Sequence, residues 1–197
     1  MEKVIVENSR SKVIYNDLEK TYTKYFYSEF GKKIRFFLRL RRYPGKNYKY
    51  ISDIFEKEGI KVAEIIDFDK YMIKTKEIPG TSLLEYIKLN IDGKKEIFIE
   101  KYIELVSKII NLGIYFGDFH FGNFIVYNDE IYVIDLEDYK KDILSKYRRK
   151  SLLKRLKRYL FRLTEIYNEN IYDGEKIAKP IEKEIFTEER YNDEPDK

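Results

Sequence analysis

The stretch GDFHFGNFIVYNDEIYVIDLEDY, residues 117–139, constrains the chain more than any other. Residues 124–127 and 131–134 are two apolar runs, and the Asn128-Asp129 pair between them has the residue types that close a two-residue hairpin. The predicted hairpin brings the ends of the stretch close together. Asp118, His120, Gly122 and Asn123 then stand near Asp135, which ends the second run. A helix is expected before the loop, because Ile99, Ile103, Val106 and Ile110 within residues 96–112 follow helical spacing and Gly113 stops them. A solvated turn would account for either half of the stretch, but two spaced polar elements joined by complementary strands are harder to reconcile with one.

The rest of the chain supplies the frame. Residues 4–6, 12–15 and 21–26 are β-branched or aromatic runs separated by the polar turns 7–11 and 16–20, which predicts an antiparallel meander. In its third strand Tyr22, Lys24 and Phe26 share one face. Segment 32–42 is basic, with Lys32, Lys33, Arg35, Arg39, Arg41 and Arg42 beside an apolar side of Phe36, Phe37 and Leu40. Pro44-Gly45 ends it, a helix is expected over 48–58 up to Gly59, and strand character returns at 61–68 and 71–78. Pro79-Gly80 is the next break, with Thr81 or Ser82 available to cap a helix over 83–89. A further helix is expected over 143–167, with Leu152, Leu156, Tyr159 and Leu163 on one side. The expected fold is α+β: a small antiparallel-sheet lobe over 1–78, a mainly helical lobe over 79–170, and a polar, acidic tail over 171–197 that is expected to be loosely ordered over 182–197. No internal repeat is present.

Composition narrows the chemistry. An apolar content of 43% is ample for a core, and the absence of cysteine removes disulfides and thiolate metal sites. With a single histidine, any metal must be a hard ion held by oxygen. No apolar run is long enough to span a bilayer and MEKVIVENSR lacks the apolar stretch of a signal peptide, which places the chain in the cytoplasm. The formal net charge of +4 does not by itself indicate nucleic acid, and no RNA-binding motif accompanies the interleaved Tyr and Arg. Segment 140–158 holds ten Lys or Arg against one acid, Asp142. It reads either as the solvated face of an amphipathic helix or as a surface attracted to an anionic glycolipid or the inner leaflet of the cytoplasmic membrane, where each basic residue contributes about 1 kcal/mol.

A carboxylate that accepts the proton of an attacking hydroxyl, with an amide oxygen and a second carboxylate that hold magnesium against phosphates, is the set that phosphoryl transfer from a nucleotide requires. Asp118, Asn123 and Asp135 offer it. The five-residue step from Asp118 to Asn123 matches the Asp-to-Asn step of the protein-kinase catalytic loop. GDFHFGN followed by VIDLED resembles the catalytic and metal-binding loops of the small-molecule branch of the protein-kinase-like superfamily, in which G-D-x-H-x-G-N replaces the H-R-D form. The resemblance covers residues 13–163, including the meander with Lys24, the hinge-like IKTKEIPGTSL and the basic segment after VIDLED. Within that branch the chain most resembles the bacterial lipopolysaccharide core heptose kinase family, whose members carry GNFI, a turn, IDL and a Lys/Arg-rich continuation.

The resemblance implies a two-lobed kinase-like fold with ATP in the cleft, Asp118 as catalytic base, Asn123 and Asp135 as ligands of Mg2+, and Lys24 on the α- and β-phosphates of ATP. It also implies hinge backbone groups from Glu77 and Ile78 for adenine, and a structural role for His120. The implied activity is ATP- and Mg-dependent phosphorylation of a sugar hydroxyl, a heptose of the lipopolysaccharide inner core, at the cytoplasmic membrane face. Three departures stand beside it. The turn 7–11 is not glycine-rich, Tyr22 occupies a place above adenine where kinases often have a small residue, and no carboxylate of the 48–58 helix has a clear position opposite Lys24, Glu56 and Asp53 being the candidates. Two alternatives remain: a kinase-like phosphotransferase acting on another small molecule or a protein, and a non-catalytic pseudokinase that binds a membrane or partner through its basic face.

Overall fold

Asparagines set the first two turns. Asn8 Oδ1 accepts from the backbone N–H of Arg10 at 2.8 Å and Ser11 at 2.9 Å, and Asn16 Oδ1 accepts from Leu18 at 3.0 Å and Glu19 at 3.2 Å. Such side-chain turns reverse the chain without glycine. They connect strands β1 (Glu2–Glu7), β2 (Ser11–Asn16) and β3 (Thr21–Phe26). The computed structural model describes residues 1–27, 41–116, 119–141, 149–167 and 173–192. The basic segment 32–42 therefore lies, apart from Arg41 and Arg42, outside the described residues, and so do Gly117 and Asp118.

The chain divides into two compact units: Met1–Gly80 with Tyr132–Tyr139, and Thr81–Ile131 with Lys140–Lys197. In the first unit the antiparallel sheet runs β1-β2-β3-β6-β5, where β5 is Ile65–Phe68 and β6 is Met72–Lys76. Lys24 of β3 faces Val13 on one side and Ile73 on the other. Helix α1 (Pro44–Lys57) starts with proline at its first helical position, where the missing N–H costs nothing. It buries Tyr48, Ile51, Ser52 and Phe55, the i, i+3, i+4, i+7 stripe of a helix laid on a core. Its end is a Schellman motif: Gly59 has φ 73°, its N–H donates to Glu56 O at 3.0 Å, and Ile60 N–H donates to Phe55 O at 2.8 Å.

Residues 61–68, expected as one strand, are split. Lys61–Val62 form β4, which runs parallel to Tyr132–Val133, and β5 joins the main sheet. Gly45 explains how closely α1 approaches the β5–β6 turn. A Cβ there would lie 2.1 Å from Asp69 O and 2.4 Å from Met72 O, and both are backbone atoms that cannot swing aside. Gly45→Ala is expected to cost about 3 kcal/mol, the upper part of the range for overpacking, read as a lowered thermal unfolding midpoint of the full chain.

The second unit begins with β7 (Thr81–Ser82), and Ser82 caps helix α2 (Leu83–Leu89) by accepting from Glu85 N–H at 3.3 Å. Helix α3 (Lys95–Asn111) buries Phe98, Tyr102, Val106, Ile109 and Ile110 and is followed by Gly113 at φ 70°. β8 (Ile114–Tyr115) comes next, then β9 (Phe124–Tyr127), joined by Asn128 and Asp129 at φ 50° and 59° to β10 (Glu130–Val133), whose last two residues belong to the first unit. Both turn residues are left-handed, as the hairpin requires. β11 (Lys140–Lys141) pairs with β8.

Helices α4 (Arg149–Tyr167) and α5 (Gly174–Asn192) complete the unit, with α5 packed on both α3 and α4. Two expectations are corrected here. The described part of the tail, up to Asn192, is not irregular but helical: Asp173 Oδ1 accepts from the N–H groups of Glu175 and Lys176, and Ile177, Ile181 and Ile185 of α5 are buried. The basic segment is not one helical face either. Lys140 and Lys141 are strand, residues 142–148 lie outside the described residues, and Arg149 is buried with Nη2 donating to Asn111 O at 3.1 Å. That guanidinium satisfies a carbonyl at the end of α3, where a cation is favoured. Lys150, Lys154, Arg155 and Arg158 remain exposed on α4. No described helix is long and apolar enough to cross a membrane.

Candidate functional site

Alternation along β3 places Tyr22, Lys24 and Phe26 on one side of the sheet, so the lysine rises among aromatic rings, with Nζ 5.7 Å from the Phe26 ring centroid. Its side chain is only 15% exposed. A cation in that position needs a partner, and Lys24 has two among the described residues: Asp135 Oδ1 at 3.0 Å and Glu137 Oε1 at 2.6 Å.

Both carboxylates come from the short segment that follows β10. Val133 is fully buried and pairs with Val62 of β4, which fixes where the strand ends. Asp135 then adopts φ 61°, ψ 48°, a left-handed conformation that costs an aspartate about 1–2 kcal/mol, and turns the chain into the 3-10 turn Leu136–Asp138. Leu136 is fully buried and anchors the turn. The Asp135 carboxylate does not cap the turn it precedes; it faces Lys24 and stays half exposed.

Helix α1 clamps the same turn. Asn47 Nδ2 donates to Glu137 O at 3.0 Å and to Tyr139 O at 2.7 Å, while the buried Tyr48 phenol is hydrogen-bonded to the Asp135 backbone. Phe55 packs edge-on against Tyr139 at 5.8 Å. Burial, reinforced by the two nearby carboxylates, pushes the Tyr48 hydroxyl far above its ordinary range. Burial also raises Glu137, with Asp135 adding to it and Lys24 opposing it. For Lys24, burial pulls the ammonium down, but Glu137 and Asp135 together outweigh it and hold the amine protonated. Glu137 Oε2 is buried with no hydrogen-bond partner among the described residues.

Sequence reasoning did not find Glu137. The two helix carboxylates weighed as partners of Lys24 are engaged elsewhere: Asp53 pairs with Lys49, and Glu56 accepts from Ser52 Oγ at 3.5 Å. The signal was present as a second acid two positions after Asp135, but only tertiary structure shows where it points.

At the hinge-like segment, Glu77 N–H donates to Lys20 O at 2.8 Å and Ile78 O accepts from Gly80 N–H at 2.8 Å. The groups of these residues outside backbone hydrogen bonds, among the described residues, are the Glu77 carbonyl and the Ile78 N–H. The expectation that Glu77 offers its backbone is thus restricted to its acceptor. The Glu77 carboxylate accepts from Tyr15 OH at 2.7 Å, and Tyr15 packs on Tyr22 with ring centroids 4.8 Å apart.

Asn123 belongs to the second unit, where it ends the 3-10 turn Phe121–Asn123. It is half-buried, and its side-chain amide makes no hydrogen bond among the described residues. His120 organises the turn: Nδ1 accepts from Gly122 N–H at 2.9 Å, so the ring proton sits on Nε2 in the neutral form. A Cβ on Gly122 would lie 2.7 Å from that nitrogen, which accounts for glycine there. Phe121 N–H donates to Tyr159 OH at 3.2 Å, and Tyr102 packs edge-on against Phe121 and Phe124.

The donor set suits magnesium better than a transition metal. No group of three or more His, Cys, Asp or Glu capable of holding a metal is present among the described residues. Magnesium is commonly bound through one or two carboxylates together with substrate phosphates. The half-exposed Asp135 supplies one hard oxygen donor, and Lys24 with two carboxylates is a cluster one positive charge short of neutrality.

No protein-family profile matches the chain, and no curated protein matches it. Solved structures do. The chain is similar to the Rio2 kinase of Chaetomium thermophilum, determined as an ADP/Mg2+–phosphoaspartate complex, with 14% identity over 96% of this chain and 70% of that one and a TM-score of 0.56. It is also similar to Rv3197 of Mycobacterium tuberculosis, determined with erythromycin, with 15% identity and a TM-score of 0.50. That likeness covers 78% of this chain, which spans about half (53%) of Rv3197. At these identities the likeness establishes the fold: a protein-kinase-like α+β chain with an antiparallel-sheet N-terminal region and a helical C-terminal part.

Proposed function

We propose that the protein is an ATP-dependent phosphotransferase acting on a hydroxyl group. The observation that carries the reading is Lys24, held protonated on the inner face of a kinase-like sheet against Asp135 at the left-handed end of β10. In this reading Lys24 binds the α- and β-phosphates, the Glu77 carbonyl and the Ile78 N–H meet the adenine edge, and Asp118 accepts the proton of the attacking hydroxyl. Asn123 and Asp135 would hold magnesium, which when bound offsets the charge of the phosphates. The protein's own contribution is positioning and fixed charge, which supply most of the rate in such transfers.

The acceptor we favour is a small or lipid-linked sugar, namely a heptose of the lipopolysaccharide inner core. Only one 3-10 turn separates Asp135 from β11, and α4 begins at Arg149, so the chain is short of the long segment on which protein kinases dock peptides. The exposed Lys150, Lys154, Arg155 and Arg158 offer a cationic surface to an anionic glycolipid at the inner face of the cytoplasmic membrane.

The test is a mass spectrum of under-phosphorylated lipopolysaccharide core after incubation with the full chain, ATP and magnesium. One phosphoryl group gained is the expected result. No gain, with nucleotide still bound in a magnesium-dependent way, would remove the heptose acceptor and leave the phosphotransferase reading to other alcohols; absence of nucleotide binding would leave a pseudokinase.

A further inference from the structure

In protein kinases the phosphate-binding strand lysine is held in place by a glutamate from the helix that follows, and movement of that helix makes or breaks the pair. The first described helix after β3 is α1, and among the described residues none of its carboxylates is paired with Lys24. Resting on the nucleotide role proposed above for Lys24, we propose that Glu137 is the positioning residue for Lys24, replacing a helix carboxylate, and that α1 acts instead through the side-chain amide of Asn47.

Geometry supports this in three ways. The Lys24–Glu137 contact, at 2.6 Å, is shorter than the Lys24–Asp135 contact at 3.0 Å, and the Glu137 side chain is only 16% exposed against 48% for Asp135. Glu137 is thus the sheltered partner and Asp135 the accessible one. Secondly, Glu137 is expensive to keep: its side chain is sheltered from water and one of its oxygens is buried without a partner among the described residues. A buried carboxylate of this kind is weak support for stability, and an unsatisfied buried polar atom calls for an explanation such as a role at a site. Finally, its backbone is fixed from the helix, since Asn47 bridges the carbonyls of residues 137 and 139 and Tyr48 reaches the Asp135 backbone.

The arrangement has a chemical consequence. With Asp135 as its sole partner, Lys24 would compete with a cation for the same carboxylate. Glu137 removes the competition: the lysine keeps a partner while Asp135 turns to the metal and the phosphates. The pair that places the lysine and the carboxylate that serves the metal also sit two residues apart on one clamped turn, so they are set together and do not depend on a charged residue carried by α1.

The experiment is calorimetric titration of the full chain with ADP, with and without magnesium, on wild type, Glu137→Gln and the double variant Asp53→Asn/Glu56→Gln, alongside thermal unfolding. Glu137→Gln is expected to weaken ADP binding by about tenfold or more, as loss of a charge-assisted contact does, to need more magnesium for half-saturation, and to unfold at or above the wild-type midpoint. The helix double variant is expected to bind as wild type does. A merely structural Glu137 would give the opposite pattern, a lowered midpoint with unchanged affinity, and would overturn the proposal. It is equally overturned if the helix double variant weakens ADP as much as Glu137→Gln does. Should Glu137→Gln fail to fold, Asn47→Ala serves in its place: reduced ADP affinity supports the clamp and unchanged affinity overturns it. Wild type that binds no nucleotide would overturn the phosphotransferase reading and this inference with it; wild type that binds, with Glu137→Gln equal to it, would overturn this inference alone.

Discussion

Asp118→Ala is expected to lower kcat by about 10²–10⁴-fold, the contribution of a positioned general base, while leaving ADP affinity close to wild type. The two readouts separate because the proposed roles separate. In its proposed role Asp118 would receive a proton that leaves the acceptor only as the new P–O bond forms, so its loss should raise the barrier without removing contacts that nucleotide makes in the ground state. Asp135→Ala differs, because in its proposed role as a ligand of the metal it would also hold the bound nucleotide complex; its ADP affinity should fall when magnesium is present and change little when it is absent. Single-turnover phosphoryl transfer and calorimetry on the same preparations check both. Normal turnover by Asp118→Ala would remove the base assignment, whatever the fold.

What could be seen in the sequence divides along a physical line. Turns and caps are local chemistry, and they were legible: the Asn128-Asp129 hairpin, the stop at Gly59, the cap at Ser82 and the meander of β1, β2 and β3 all depend on residues within a few positions of one another. Long-range choices were not. Nothing in the run 61–68 shows that its first two residues leave the main sheet to lie parallel to Tyr132–Val133. Arg149 looks like one more member of a basic run until it is found buried on the Asn111 carbonyl. The tail was misjudged for a related reason. Ile177, Ala178, Ile181 and Ile185 form a narrow buried stripe in a strongly charged segment, and average composition conceals a stripe that a helical period reveals. At the site, the facing of Lys24 could be read because β alternation is local. The partner of Lys24 could not, because Glu137 becomes its neighbour only through the left-handed turn at Asp135 and the Asn47 clamp.

Lys24→Met is expected to abolish measurable nucleotide binding and, in addition, to destabilise the fold by about 2–4 kcal/mol, a little under the roughly 3–5 kcal/mol for removing one partner of a fully buried ion pair. For a chain of this length that corresponds to a thermal midpoint about 5–15 °C lower. Methionine fills most of the volume that lysine leaves, so the loss comes from Glu137, which stays desolvated beside Asp135 with no cation to offset it. Asp135 adds little to the penalty, since water screens a carboxylate that is half exposed. Protonation limits it further: burial already pushes Glu137 upward, and without Lys24 it takes up a proton more readily. The double variant Lys24→Met/Glu137→Gln should therefore recover most of the lost midpoint, because the orphaned charge is gone, and should recover none of the nucleotide affinity, because no cation remains for the phosphates. This non-additivity distinguishes a functional triad from a structural ion pair. If the double variant were as unstable as Lys24→Met, packing around the lysine stem and not the charge on Glu137 would be what Lys24 provides to the fold.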